Sequence, residues 1–237
     1  MGFNSKRPTT RSGVPAVNVG GETVNEFLEG YFFPGQPPSA SLSGGSEKEK
    51  GDPNLLVQLS WSVTKGSELI TAITVDGKTI VPTGQNQSGT VTGNLVQDQN
   101  KTFSMNVMDA AGKSANASTQ VLWKAANYYG VSSFDLTNII SKLQAAGQYA
   151  GSLITGKHLA TSKAENHDYN CTGGKYIYIL YPSSYGNPVS VKNGSFDFSD
   201  YQVTDLSITD VFGIVRQYKL ISTGYQTGSS VNINIIN

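Results

Sequence analysis

Apolar and polar residues alternate along much of this chain. Leu55, Val57, Leu59, Trp61 and Val63 stand between Gln58, Ser60, Ser62 and Thr64, the period of a strand with one buried face. Leu69–Val75 and Lys78–Pro82 flank Asp76-Gly77, a dipeptide suited to the positive φ angles of a type I′ hairpin turn. Phe103, Met105 and Val107 alternate with Thr102, Ser104 and Asn106 up to a turn at Asp109–Gly112, and Ala115, Ala117, Thr119, Val121 and Trp123 share one face of the returning strand. Strand-turn-strand units so closely spaced predict a small antiparallel sandwich over residues 36–126, with Trp61 and Trp123 in its core. The chain has a single cysteine, so the layout is immunoglobulin-like without a disulfide.

The stretch Gly173–Pro182 is different. Tyr176, Tyr178 and Leu180 line one face of a strand while Ile177, Ile179 and Tyr181 line the other, so both faces require cover and the strand is expected at the centre of a sheet. Gly213–Ile221 and the alternating Val231, Ile233 and Ile235 supply partner strands. Between the two bodies the period changes after a seam at Ala125–Gly130. Leu136, Ile139, Ile140 and Leu143 form one helical stripe, with Ser132 as cap, Asp135 in the first turn and Gly147 as stop. The predicted fold is all-β, with two antiparallel sandwich-like domains (36–126 and 127–237), one short connecting helix and an extended N-terminal arm over 1–35.

The arm carries Lys6, Arg7 and Arg11 among Pro8, Gly13 and Pro15. Thr23 and Glu26 have the spacing of a capping box for a short helix, and Phe27, Leu28, Tyr31, Phe32 and Phe33 follow in quick succession. An arm with no core of its own gains nothing from such residues unless they dock, so these five are interface candidates, joined by Tyr181, Tyr185 and Tyr225 of the second domain. Residues 34–53 are rich in Pro, Gly and Ser, and the cluster Glu47-Lys48-Glu49-Lys50 suits a solvated loop or linker.

Composition narrows the functions. Seventeen basic residues balance 17 acidic ones, and charged residues are 14% of the 237, so no electrostatic footprint for nucleic acid is present. No apolar run approaches the ~18 residues of a membrane span, and the N-terminus lacks the apolar run of a secretory signal, so synthesis in a cytoplasm is expected. Five Asn-x-Ser/Thr triplets, at Asn86, Asn100, Asn116, Asn170 and Asn193, fit polar turns. His158, His167, Asp168 and Cys171 are the one cluster of ligand-type residues. A structural zinc site needs four ligands, and a Cys-His nucleophile needs an orienting third group, so a surface loop without metal or catalytic role is expected there. Asp197, Asp200, Asp205 and Asp210 each fall near turn signals and suggest no glycosidase pair. No cofactor motif is present. Eleven of the 12 tyrosines, all but Tyr31, lie in 127–237, where they serve either as core or as a surface on which sugars could stack.

The order LSWSVTKG (59–66), ITAITVDGKTI (70–80), the run 101–133, GKYIYILYPSSYG (174–186), the run 208–228 and VNINI (231–235) resembles tail-fibre-associated and other virion structural proteins of tailed bacteriophages. The resemblance covers about residues 54–237 and implies a non-enzymatic building block of the tail, neck or fibre-attachment region, with no cofactor. It further implies self-association, other virion proteins as partners and a place in the virion after synthesis in the host cytoplasm. The alternative is a carbohydrate-binding adhesin that uses the tyrosine-rich second domain on a host-surface glycan. On the first expectation, a chain lacking residues 1–35 should fold but fail to assemble. Analytical ultracentrifugation checks this, and unchanged assembly would remove the arm from the account.

Overall fold

The computed structural model describes the backbone at Asn18–Val19 and Glu22–Thr23, then residues 35–145 and 148–236. The helix expected after Thr23, and with it Phe27, Leu28, Tyr31, Phe32 and Phe33, lies outside the described residues. The fold is all-β with two short α-helices among the described residues. Strands β1 (Asn18–Val19) and β2 (Glu22–Thr23) pair with each other. Then come β3 (Ser39–Ser43), β4 (Glu47–Glu49), β5 (Leu56–Thr64), β6 (Ile70–Val75), β7 (Lys78–Ile80), β8 (Gln87–Asn94), β9 (Lys101–Asp109) and the long β10 (Ser114–Ser132). Helices α1 (Leu136–Leu143) and α2 (Ala150–Leu153) lead to β11 (Gly156–Ala160), β12 (Glu165–Tyr169) and β13 (Tyr176–Pro182). The chain closes with β14 (Ser190–Asn193), β15 (Phe196–Asp197), β16 (Tyr201–Thr209), β17 (Val215–Thr223) and β18 (Val231–Ile236).

Contacts divide the chain into two units. The first takes the chain up to Gly44 with Gln58–Gly93 and Phe103–Thr119; the second takes Gly45–Val57, Asn94–Thr102 and Gln120–Asn237. In the first unit β3, β5 and β8 form one sheet, and β7, β6, β9 and the start of β10 run side by side in another. Alternation decides its core: Leu59, Trp61, Val63, Ile73, Val75, Phe103, Met105 and Val107 are buried, and the intervening polar residues of β5 and β9 are exposed. Asp76 (φ 48°) and Gly77 (φ 74°) turn β6 into β7 as the sequence predicts.

The second unit is built on β13. One sheet runs β11-β10-β13-β17-β16, and the other β12-β18-β14-β15. Ile177, Ile179 and Tyr181 pack with Val191, Ile221, Ile233 and Ile235 between the two sheets. Tyr178 and Leu180 pack on the opposite face with Ile139, Leu143, Ala150 and Ile154 of the helical segment, Leu206 and Tyr218. Both faces of β13 are thus covered, as its unbroken apolar run demands.

Several expectations give way to longer-range pairing. Ala125–Gly130 is no seam but continuous β10, because both its edges are occupied: Ala125–Tyr129 pair with β11 and Tyr128–Ser132 with β13. Trp123 belongs to the second unit, where the Asn100 side-chain oxygen accepts a 2.7 Å hydrogen bond from its backbone N–H. Glu47–Glu49 is strand rather than solvated loop. It pairs parallel with Leu122–Lys124, and its charges meet partners: Glu47 meets Lys124, Lys48 lies 3.0 Å from Asp52, and Glu49 lies 2.6 Å from Lys157. Helix α1 is capped by Asp135, whose carboxylate accepts from the Asn138 N–H at 2.9 Å, and not by Ser132, which ends β10. The shift is physical: Asp135 immediately precedes the first helical residue, where a cap reaches the free N–H groups.

Two hairpins share one device. Asp109 Oδ1 accepts from the N–H groups of Ala111 and Lys113, and Asp210 Oδ1 accepts from those of Phe212 and Ile214. Asp210 Oδ2 also takes a 2.6 Å hydrogen bond from Arg216 Nε, which balances a carboxylate that is buried. This aspartate serves a turn, as its sequence context suggests.

The buried tyrosines split into two kinds. Tyr218 donates its hydroxyl to the Ala126 carbonyl at 2.9 Å, whereas the Tyr181 hydroxyl is buried without a hydrogen-bond partner among the described residues. Tyr218→Phe should therefore cost about 1–2 kcal/mol by stranding the Ala126 carbonyl, and Tyr181→Phe should be neutral or stabilising. Burial, aided by Asp205 and Tyr201, pushes the Tyr181 hydroxyl up to about 12. A folded-state value above the ordinary one of about 10 means that this contribution is intact below pH ~10 and is lost as the pH climbs through about 12. Urea unfolding at neutral pH and again between pH 10 and 12 checks both points. Tyr181→Phe should lose less stability over the alkaline window than the parent chain, and equal losses would refute the assignment.

Candidate functional site

The strongest convergence of ionisable groups lies in the second unit, where β10, β11 and β12 meet. Glu165 and His167 are two apart on β12 and so share a face. Along this strand Glu165 and Tyr169 are buried and His167 half-buried, while Asn166 and Asp168 are exposed. His158 comes from β11, where it lies opposite Asn127 of β10. The Glu165 side chain has 0% exposure, against 38% for His158 and 23% for His167. Nε2 of His158 is 3.2 Å from Glu165 Oε1, and Nε2 of His167 is 2.6 Å from Oε2. Asn127, fully buried, donates its amide to Glu165 Oε1 at 2.7 Å and to the Ser162 carbonyl at 3.0 Å.

Ring packing fixes the imidazole. Tyr129 stacks on His167 with centroids 3.5 Å apart and planes within 9°, and it also flanks His158 at 5.9 Å. This depends on Gly156, directly opposite Tyr129 in the β10–β11 ladder: a Cβ there would fall 2.5 Å from the Tyr129 ring. The arrangement is a buried carboxylate ringed by N–H donors. It can hold a proton between carboxylate and imidazole, or a cation between the carboxylate and two imidazole nitrogens.

The sequence brings His158 and His167 into one candidate cluster and suggests a surface loop around His167, whereas that segment is strand β12 and the group at its centre is Glu165. The available signal was the strand-spaced Glu165-Asn166-His167-Asp168-Tyr169, with its acid, imidazole and phenol on one face. The other two residues of the cluster point elsewhere. Asp168 is on the exposed face of β12, and Cys171 is buried in the apolar core with Ile177 and Ile179.

Of the interface candidates in the second domain, Tyr181 is fully buried and offers no surface, because β13 is central rather than peripheral. Tyr185 is half-buried, its hydroxyl donating to the Ala160 carbonyl at 2.9 Å. Tyr225 is exposed and meets Tyr176 edge-on at 5.5 Å. Tyr128, Tyr178 and Tyr218 are core, so none of them can stack on a sugar.

Two depressions open on the second unit. One, of 510 Å³, is lined by Val189, Val191, Phe198, Tyr201 and Val203, where the terminal strand of each sheet (β15 and β16) is near. Val189 is 75% exposed there. The other, of 580 Å³, is lined by Asp135, Thr137, Tyr176, Asp200, Tyr201 and Gln202 among others. Two of the clustered aspartates have other tasks: Asp205 pairs with Lys219 at 2.7 Å and Asp210 forms its turn.

No family model and no curated protein matches the chain. Among solved structures, it is similar to the PKD domain of an M14-like peptidase from a Thermoplasmatales archaeon, at 14% identity and a TM-score of 0.31, covering 38% of this chain and 97% of that one. It is also similar to the N-terminal eight immunoglobulin domains of the Down syndrome cell adhesion molecule, at 16% identity and 0.27, covering 86% and 27%. A third is SGBP-B of the Bacteroides ovatus mixed-linkage glucan utilization locus, solved with a mixed-linkage heptasaccharide, at 11% identity and 0.18, covering 82% and 52%. Likeness at these scores carries no functional information.

Cys171 gives a direct check on this geometry. Burial pushes its thiol up, against an opposing pull from Lys175, and the side chain is inaccessible. Ellman's reagent should label it only after denaturation, and rapid labelling of the native protein would place it outside the core.

Proposed function

We propose that the chain is a non-enzymatic assembly module, a structural component of a tailed-bacteriophage virion that associates with further copies of itself and with other virion proteins. The observation that carries this reading is the exposed apolar pair Val189 and Val203, which line one depression beside β16, an edge strand that pairs only with β17 among the described residues. Natural edge strands are usually protected by charges or proline. β16 has one charged residue, Asp205, and no proline over nine residues. Two such edges can pair antiparallel about a twofold axis, which makes the surface self-complementary, and a formal net charge of zero offers no long-range repulsion. The resemblance of residues 54–237 to virion proteins supports the biological setting.

A distinct observation supports a second reading, a carbohydrate-binding module. The depression beside Tyr176 and Tyr201 combines aromatic rings with the carboxylates of Asp135 and Asp200 and the amide of Gln202, the mixture that sugar faces and hydroxyls engage.

Light scattering across a concentration series tests the first reading. The parent chain should form discrete oligomers, Val189→Asp and Val203→Lys should shift the equilibrium toward monomer by tenfold or more, and Tyr176→Ala should not. A parent chain that stays monomeric at every concentration, or edge variants that assemble unchanged, would defeat it. Glycan-array binding lost in Tyr176→Ala would favour the second.

A further inference from the structure

We infer that His158, Glu165 and His167 form a binding site for one divalent first-row transition-metal cation of the zinc type, with its remaining positions open to water. The chain has only two histidines in 237 residues, and both direct Nε2 at the same buried carboxylate. The three ligand atoms lie within 4.8 Å of one another. Two ligands of a tetrahedral zinc ion, each ~2.0–2.2 Å from it, stand about 3.3–3.5 Å apart. The 3.2 Å between His158 Nε2 and Glu165 Oε1 already approaches that value. His167 meets the other oxygen, Oε2, at 2.6 Å, so that contact would lengthen by ~0.7 Å and the carboxylate would turn both oxygens toward the ion, a small rotation of side chains.

The supporting groups are those a metal site uses. Asn127 holds one Glu165 oxygen from behind, and Tyr129 clamps the His167 ring. The ligands come from strands paired to β10 or β18 rather than from loose loops, so their spacing is set by backbone ladders. Glu165 is fully buried while both imidazoles reach the surface, so a cation would sit at the rim with its free positions toward solvent. Two imidazoles and one carboxylate favour zinc, cobalt or nickel over magnesium or calcium, which prefer all-oxygen sites. The inference is independent of the assembly surface, which involves other residues.

The test is titration of the chelator-treated full chain with Co²⁺ and Zn²⁺. Expected are saturable one-to-one binding, visible Co²⁺ bands of a low-coordinate nitrogen–oxygen site, their loss on adding Zn²⁺, and no competition from Mg²⁺. His158→Ala and His167→Ala should each weaken binding at least tenfold, and the double variant should abolish it. Asn127→Ala should weaken it about 10–100-fold. Circular dichroism confirms the fold of each variant, and the histidine variants carry the test because their side chains reach the surface. No saturable binding to the parent chain would leave a purely hydrogen-bonded triad and overturn the site. Binding that persists unchanged in the double variant would do the same.

Discussion

The second unit depends on the double burial of one strand. Between Tyr176 and Pro182 every side chain from Ile177 to Tyr181 is removed from water, and no single sheet can achieve that alone. The strand therefore needs β10 and β17 as neighbours within its sheet, a second sheet over Ile177, Ile179 and Tyr181, and the helical segment over Tyr178 and Leu180. At about 25 cal/mol for each Å² of apolar surface buried, five large side chains contribute more than any ion pair in the unit. The polar features sit where this packing leaves room for them.

Tyrosine shows how that packing is reconciled with polarity. Tyr178 and Tyr218 each bury a ring and deliver the hydroxyl to a backbone carbonyl, of Phe134 and Ala126. A phenylalanine would fill the same volume and leave those carbonyls without a donor. The core thus accounts for Tyr128, Tyr169, Tyr178, Tyr181 and Tyr218, while Tyr149 and Tyr225 are exposed and Tyr176 and Tyr201 are half-buried.

The carboxylate of Glu165 illustrates the converse case. A buried charge is tolerated only when donors or cations surround it. Here Asn127, His158 and His167 do so from three strands, and the same three-sided enclosure makes the place suitable for a metal ion. The depression lined by Val189 and Val203 is a separate feature at the sheet edges.

What was legible in the sequence was what short-range periodicity encodes. Period-two alternation set Leu59, Trp61 and Val63 inward, the Asp76-Gly77 pair set its hairpin, the stripe from Leu136 to Leu143 set α1, and the unbroken run in β13 announced its central place. These depend only on neighbours a few residues away, which fix dihedral angles and faces. The tertiary structure alone decided the rest. Glu47–Glu49 became a strand because β10, more than 70 residues later, offers it a parallel edge and opposite charges. Ala125–Gly130 stayed extended because two strands claim its edges, and Tyr181 left the interface for the core because a second sheet covers it. Glu165 acquired its histidines because sheet pairing brings β11 beside β10 and β12 beside β18. Such pairings are set by the cooperative packing of the whole unit, and no local window of residues specifies them.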